Sequence, residues 1–165
     1  MAIPARLKDY LEEHGVSYQV LYHQRVYTAQ EVAASQHVSG KELAKVVMVR
    51  VDGKLAMMVL PASSMVDVKR LKGIFPGRKV KLAQEEEFQG IFPDCEIGAM
   101  PPFGNLYDLE VYVDTALAER SHIVFQAGSH VETIRIAFKD FAHLVQPEVV
   151  DFATADEIPG NHELI

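Results

Sequence analysis

Apolar positions recur along this chain with two periods, and the switches between them mark its elements. Near the start, Leu7, Tyr10, Leu11 and His14 fall at i, i+3, i+4 and i+7. That spacing predicts a helix over 4–14, with Pro4 suited to its first turn and Gly15 to its end. The period then drops to two. Val16, Tyr18, Val20 and Tyr22 share one side, which predicts a strand over 16–23. Thr28 with Glu31 is a capping-box pattern that opens a short helix over 29–36. Ser39 with Glu42 repeats the signature for a turn at 41–43.

The clearest element comes next. Two β-rich runs, 45–51 and 54–60, flank Asp52-Gly53. Asp-Gly in that setting predicts a two-residue hairpin, because both turn positions need positive φ. Both runs are almost continuously apolar, so the strands should be central and covered on both faces. Residues 67–74 read as a helix ended by Phe75-Pro76-Gly77, 80–83 as a short strand, and 84–91 as a second short helix broken at Pro93. Strands are expected at 109–114 and 122–127, joined by a turn or helix over 115–119. Gly128-Ser129-His130 should reverse the chain into a strand over 131–136, and a last helix over 138–145 stops at Pro147. Strands and short helices interleave without a βαβ rhythm. The pattern predicts one α/β domain over 1–146, with a mixed and strongly curved sheet, and an acidic, loosely held tail over 147–165.

Composition adds limits. The 165 residues suffice for one core, and the single cysteine, Cys95, rules out an internal disulfide or a cysteine-rich metal site. The first residues lack the apolar run of a signal peptide, and no window approaches a membrane span, so a soluble, cytoplasmic protein is expected. Net charge is −7, against a general nucleic-acid binder. The distribution is polarised, however. Lys69, Arg70, Lys72, Arg78, Lys79 and Lys81 place six positive charges in thirteen residues without an acid. No Lys or Arg follows Lys139. One basic face can meet a polyanion while the rest repels it, and an ordinary solvated surface would read the same way.

The familiar catalytic sets are missing. There is no glycine-rich phosphate loop, no His-Glu-x-x-His and no Gly-x-Ser-x-Gly, and the seven histidines never fall at i, i+4. Neither a metal nor a cofactor is expected. Cys95 sits between Asp94 and Glu96, carboxylates that should raise its pKa and blunt it as a nucleophile. Two features remain. Lys45 opens an otherwise apolar strand, where a strand-end lysine with its ammonium in solvent is the bland reading. In 98–104, Gly98 and Gly104 bracket Ala99-Met100-Pro101-Pro102-Phe103. This is a stiff loop that offers carbonyls and glycine amides to a ligand, or an ordinary connector.

Taken in order, these segments resemble one family. The Thr28-Ala29-Gln30-Glu31-Val32-Ala33 helix start is followed by the Lys45-Val46-Val47-Met48-Val49 strand and the Asp52-Gly53 hairpin. Then come Asp67-Val68-Lys69-Arg70-Leu71, the 98–104 loop and the Gly128-Ser129-His130 turn. Their order and spacing over residues 3–146 resemble the YbaK/EbsC and prolyl-tRNA synthetase-associated editing domain family. The resemblance implies hydrolysis of the ester that joins an incorrect amino acid to the 3′-terminal adenosine of tRNA, often tRNA for proline. It implies Lys45 as the principal functional side chain and the 98–104 loop as the holder of the aminoacyl group through its main chain. His130 would help to shape the amino-acid pocket, and the helix carrying Thr28 would lie beside the cleft. Alanine-specific freestanding relatives tend to carry asparagine after the lysine. Here Val46 follows, so alanine stays open but is not favoured, and serine, threonine, cysteine or another small amino acid remains open. The implied partners are the acceptor end of aminoacyl-tRNA and an aminoacyl-tRNA synthetase, and the charge pattern offers the 69–81 cations as candidate tRNA contacts. The rival reading is a nucleic-acid binding module without catalysis.

Overall fold

The structure, a computed structural model, describes residues 3–23 and 39–154. Helix α1 (Ala5–Glu13) starts after Pro4 and buries Leu7 and Leu11 completely. Strand β1 (Tyr18–Tyr22) follows. The expected helix over 29–36, with Thr28 at its start, lies outside the described residues.

Strands β2 (Leu43–Val51) and β3 (Lys54–Pro61) form the expected hairpin, with Asp52 and Gly53 at φ +51° and +82°. A short strand β4 (Met65–Val66) leads to helix α2 (Val68–Ile74), where Asp67 accepts from the N–H groups of Lys69 and Arg70. Strand β5 (Val80–Leu82) and helix α3 (Glu85–Phe88) come next. The helix expected over 84–91 is shorter, tightening to a 3₁₀ turn at Gln89–Ile91, where Gly90 weakens helix propagation. The second half supplies β6 (Glu110–Asp114), α4 (Thr115–Ala118), β7 (His122–Ser129), β8 (Glu132–Ala137) and α5 (Phe138–Val145).

The main sheet is mixed and strongly curved, in the order β1-β8-β7-β2-β3-β6, and it carries one further strand on β6. The β2/β7 and β3/β6 pairs are parallel, whereas β1/β8, β7/β8 and β2/β3 are antiparallel. Each face of the central hairpin has its own apolar layer. On one face Phe103 packs 5.4 Å from Phe125 and 5.6 Å from Phe141, ring to ring, beside Leu7 and Leu11. On the other, Val49, Met58, Leu60, Leu71 and Phe152 form a second cluster. Burial from both sides is why β2 and β3 read as continuous apolar runs.

Two expectations are corrected here. Residues 148–154 are not a loose tail: β9 (Glu148–Val150) pairs with β6, and β10 (Ala153–Thr154) pairs with β4. The anchor is Asp114, 2% exposed, whose carboxylate accepts from the N–H groups of Ala116, Phe152 and Ala153 at 2.9–3.0 Å. Phe152 itself is fully buried. Secondly, β7 runs on through Gly128 and Ser129, so the reversal falls at His130-Val131. A bulge between Gln126 and Ser129 absorbs the extra residue. No helix among the described residues is long and apolar enough to cross a membrane.

Candidate active site

The sheet forks along β2. On the edge away from β3, β7 pairs with β2 at Leu43 and Ala44, and β5 pairs with it at Val49, Arg50 and Val51. Residues 45–48 between them have no strand on that side. Since Val51 and Lys54 close the two-residue turn, the odd positions of β2 exchange main-chain bonds with β3. Even positions address the open edge. Ala44 is taken by β7, and the Met48 carbonyl accepts from Ala83. The N–H and C=O of Val46, between these two, form no ladder pair on that edge.

What turns β7 aside is the bulge. Gly128 has φ +92°, and a Cβ there would lie 2.6 Å from Pro4 Cδ. Its N–H donates to the Ala99 carbonyl and its carbonyl accepts from Glu96, both at 2.8 Å. The loop that begins at Glu96 is thereby stitched to the departing end of β7 and brought to the open edge of β2. Gly98, at φ +86°, turns into the gap.

The result is a cleft of about 170 Å³ lined by Ala44, Lys45, Val46, Gly98, Met100 and Gln126. The register explains two of its side chains. The parallel pairs end at Leu43/Val124 and Ala44/Phe125, and the residues that follow on the two strands, Lys45 and Gln126, both line the cleft, on the face opposite Phe125. Lys45 is half-buried, and burial holds its ammonium below the ordinary 10.5. It makes no ion pair with any described residue.

The seven loop residues expected to bind substrate divide sharply. Gly98 and Met100 line the cleft, and the Gly98 N–H points at the Met100 sulfur, 3.3 Å away. Ala99, Pro101, Pro102, Phe103 and Gly104 are buried. Gly104 is there for space: a Cβ would stand 2.8 Å from Val111 Cγ2. His130, 5% exposed, lies behind the loop rather than in the cleft. Its Nε2–H donates to the Ile97 carbonyl at 2.9 Å, and its main-chain N–H donates to Glu96. Thr28 lies outside the described residues.

The six cations of 69–81 are exposed but not equally available. Arg70 reaches Asp67, Asp151 and the Ala153 carbonyl, while Arg78 pairs with Asp52 at 2.9 Å and lies over Phe75. Lys69, Lys72, Lys79 and Lys81 make no ion pair with any described residue. Lys81 faces Arg50, five residues from Lys45, about 16 Å along the strand. Cys95 is buried, and burial together with nearby Asp94 pushes its thiol up to about 11. That removes it as a nucleophile near neutral pH.

Sequence reasoning missed Gln126 and the main chain of Val46. Gln126 did leave a trace, as one polar residue within the apolar run 123–127.

Comparison with known proteins makes the chain an editing hydrolase. An aminoacyl-tRNA editing domain model matches residues 23–144, and the chain belongs to that family of aminoacyl-tRNA deacylases. It is 27% identical over 152 residues to the Escherichia coli K12 multifunctional Ser/Thr-tRNA deacylase ProXp-y, covering 89% of this chain and 90% of that one. A proline–tRNA ligase from Bacillus mycoides KBAB4 is 28% identical over 89 residues, or 54% of this chain and 16% of the ligase. Among solved structures, the hypothetical protein APE2540 superposes with a TM-score of 0.80 at 20% identity, covering 90% of this chain and 99% of that one. A candidate trans-editing enzyme for prolyl tRNA synthetase gives 0.78 at 20% identity, covering 90% and 95%.

Proposed function

We propose that this chain acts in trans on mischarged tRNA, tRNA for proline or a related tRNA, and removes a small amino acid from its 3′ end. The observation that carries the reading is Lys45. A half-buried ammonium without a carboxylate partner among the described residues stands in a small cleft, beside the open main chain of Val46 and the loop at Gly98. The in-trans action is supported by a likeness that runs nearly the full length of the E. coli deacylase.

Aminoacyl esters are labile, so positioning and charge stabilisation suffice without a covalent nucleophile. Water attacks the ester carbonyl carbon. The bond to the ribose oxygen breaks, that oxygen takes a proton, and the free amino acid leaves. Lys45 stabilises the oxyanion or anchors the terminal ribose-phosphate, and removal of such a donor typically costs about 10²–10³ in rate. The Val46 carbonyl suits the α-amino group, a multiple donor, and its N–H suits the oxyanion. The neighbouring ribose hydroxyl orients the water. Lys69, Lys72, Lys79 and Lys81 contact phosphates farther along the acceptor arm, and the aminoacyl-tRNA synthetase is the candidate partner.

The test is a panel of tRNAs charged with alanine, serine, threonine, cysteine and proline. Turnover of at least one mismatched member, with correctly paired prolyl-tRNA spared, supports the reading. Binding without turnover of every member would instead establish a binding module. Neutralising the four lysines should lower the slope of log affinity against log salt by roughly 3–4.

A further inference from the structure

Gln126 is 7% exposed, and its Oε1 has no hydrogen-bond partner among the described residues. It nevertheless lines the Lys45 cleft. A glutamine set into an apolar strand between Phe125 and Ala127, both fully buried, is costly unless something satisfies it. The local fold does not demand glutamine: the main chain of β7 carries the pairing with β8, where Gln126 faces Thr133.

The rest of the lining narrows what could satisfy it. Ala44, Val46 and Met100 are apolar, Gly98 has no side chain, and Lys45 only donates. Among the described residues, Gln126 is the one cleft side chain able both to donate and to accept. A cleft of about 170 Å³ suits a small aminoacyl side chain. An alkyl side chain of the right size would enter and leave the amide unsatisfied. A hydroxyl both donates and accepts, and meets the amide in either orientation.

We infer that Gln126 is the specificity-determining residue of the cleft and selects a small hydroxyl-bearing aminoacyl group, seryl or threonyl, over alanyl. The inference rests on the deacylase reading above. The ammonium of Lys45 and the amide of Gln126 then divide the substrate between them. The first takes the ester or ribose side and the second takes the amino-acid side chain.

The experiment charges one tRNA body with serine, threonine or alanine and compares kcat/KM for the wild type, Gln126→Met and Gln126→Glu, each with its thermal unfolding curve. Met keeps the length and removes the polar atoms, and Glu keeps acceptors in the same shape. The wild type should favour seryl or threonyl over alanyl. Gln126→Met should lose that preference by about tenfold or more, and its unfolding curve shows that the variant folds. Gln126→Glu should retain part of the preference. An equal loss on all three substrates in a folded variant would mean that Gln126 holds a group common to them, and would overturn the inference. An alanyl preference in the wild type, or an unchanged preference in Gln126→Met, would overturn it too while leaving the deacylase reading intact. A wild type that hydrolyses none of the three and nothing else in the panel would remove the deacylase reading itself, and this inference with it.

Discussion

Gly128→Ala should be among the most damaging single-atom additions in the molecule. At φ +92° an L-residue is strained by about 1–3 kcal/mol. The new Cβ would also lie 2.6 and 2.8 Å from Pro4 Cδ and Cγ, both on a rigid ring that leads into α1. Overpacking of that kind costs about 1–3 kcal/mol. Together the two give about 2–6 kcal/mol, a large part of the roughly 5–15 kcal/mol typical of a domain. At about 2–4 °C per kcal/mol for a chain of this length, Tm should fall by roughly 5–20 °C. Urea unfolding measures the loss, with Gly73→Ala as a control. That glycine is in α2 with nothing within 4 Å of a Cβ, so alanine should stabilise by about 0.5–1 kcal/mol. Adding Pro4→Ala to Gly128→Ala removes Cγ and Cδ and should restore the overpacking part, about 1–3 kcal/mol, leaving the strain. If Gly128→Ala lies within about 0.5 kcal/mol of wild type, or Pro4→Ala restores nothing, the account of how the loop is held is wrong.

Three further outcomes follow from the same contacts. Asp114→Ala strands the buried N–H of Phe152 and leaves those of Ala116 and Ala153 without their acceptor, and should cost about 2–5 kcal/mol, with limited proteolysis cutting within 148–154 before the rest. Cys95, its thiol held near 11, is about one part in a thousand thiolate at pH 8, so iodoacetamide should label it only on unfolding and Cys95→Ala should keep full activity. Burial lowers the Lys45 pKa, so kcat/KM should fall as pH rises through a value below 10.5, after subtraction of spontaneous ester hydrolysis. The linkage has the opposite sign for stability: between that value and 10.5 the folded state binds fewer protons than the unfolded, so stability rises with pH there, a rise that Lys45→Met abolishes.

Much of the scaffold was legible because its causes are local. Asp52-Gly53 dictates its own turn, and the apolar runs on either side announce burial on both faces. The C-terminal strands were not legible. β9 and β10 have three and two residues, too short for a period, and they are fixed by a carboxylate more than thirty residues earlier, at Asp114. The 98–104 loop shows a different limit. Two glycines look alike in sequence, but Gly98 carries a positive φ at the cleft while Gly104 makes room for Val111. Only tertiary contact separates those roles. Lys45 was legible as an oddity of type and place. The opening beside it was not, because the fork of β2 between β7 and β5 follows from a bulge at Gly128 that no periodicity records. Gln126 could have been noticed as a polar interruption of an apolar strand, a signal that acquires meaning once the fold sets it in the Lys45 cleft.

The central claim is that the ammonium of Lys45 acts on the ester. The direct measurement is single-turnover hydrolysis of the best mischarged tRNA by wild type and Lys45→Ala, with unfolding followed in parallel. The account predicts a fall of about 10²–10³ in kcat/KM with Tm unchanged or slightly raised, since a desolvated cation is removed. Hydrolysis by Lys45→Ala within about twofold of wild type would contradict it.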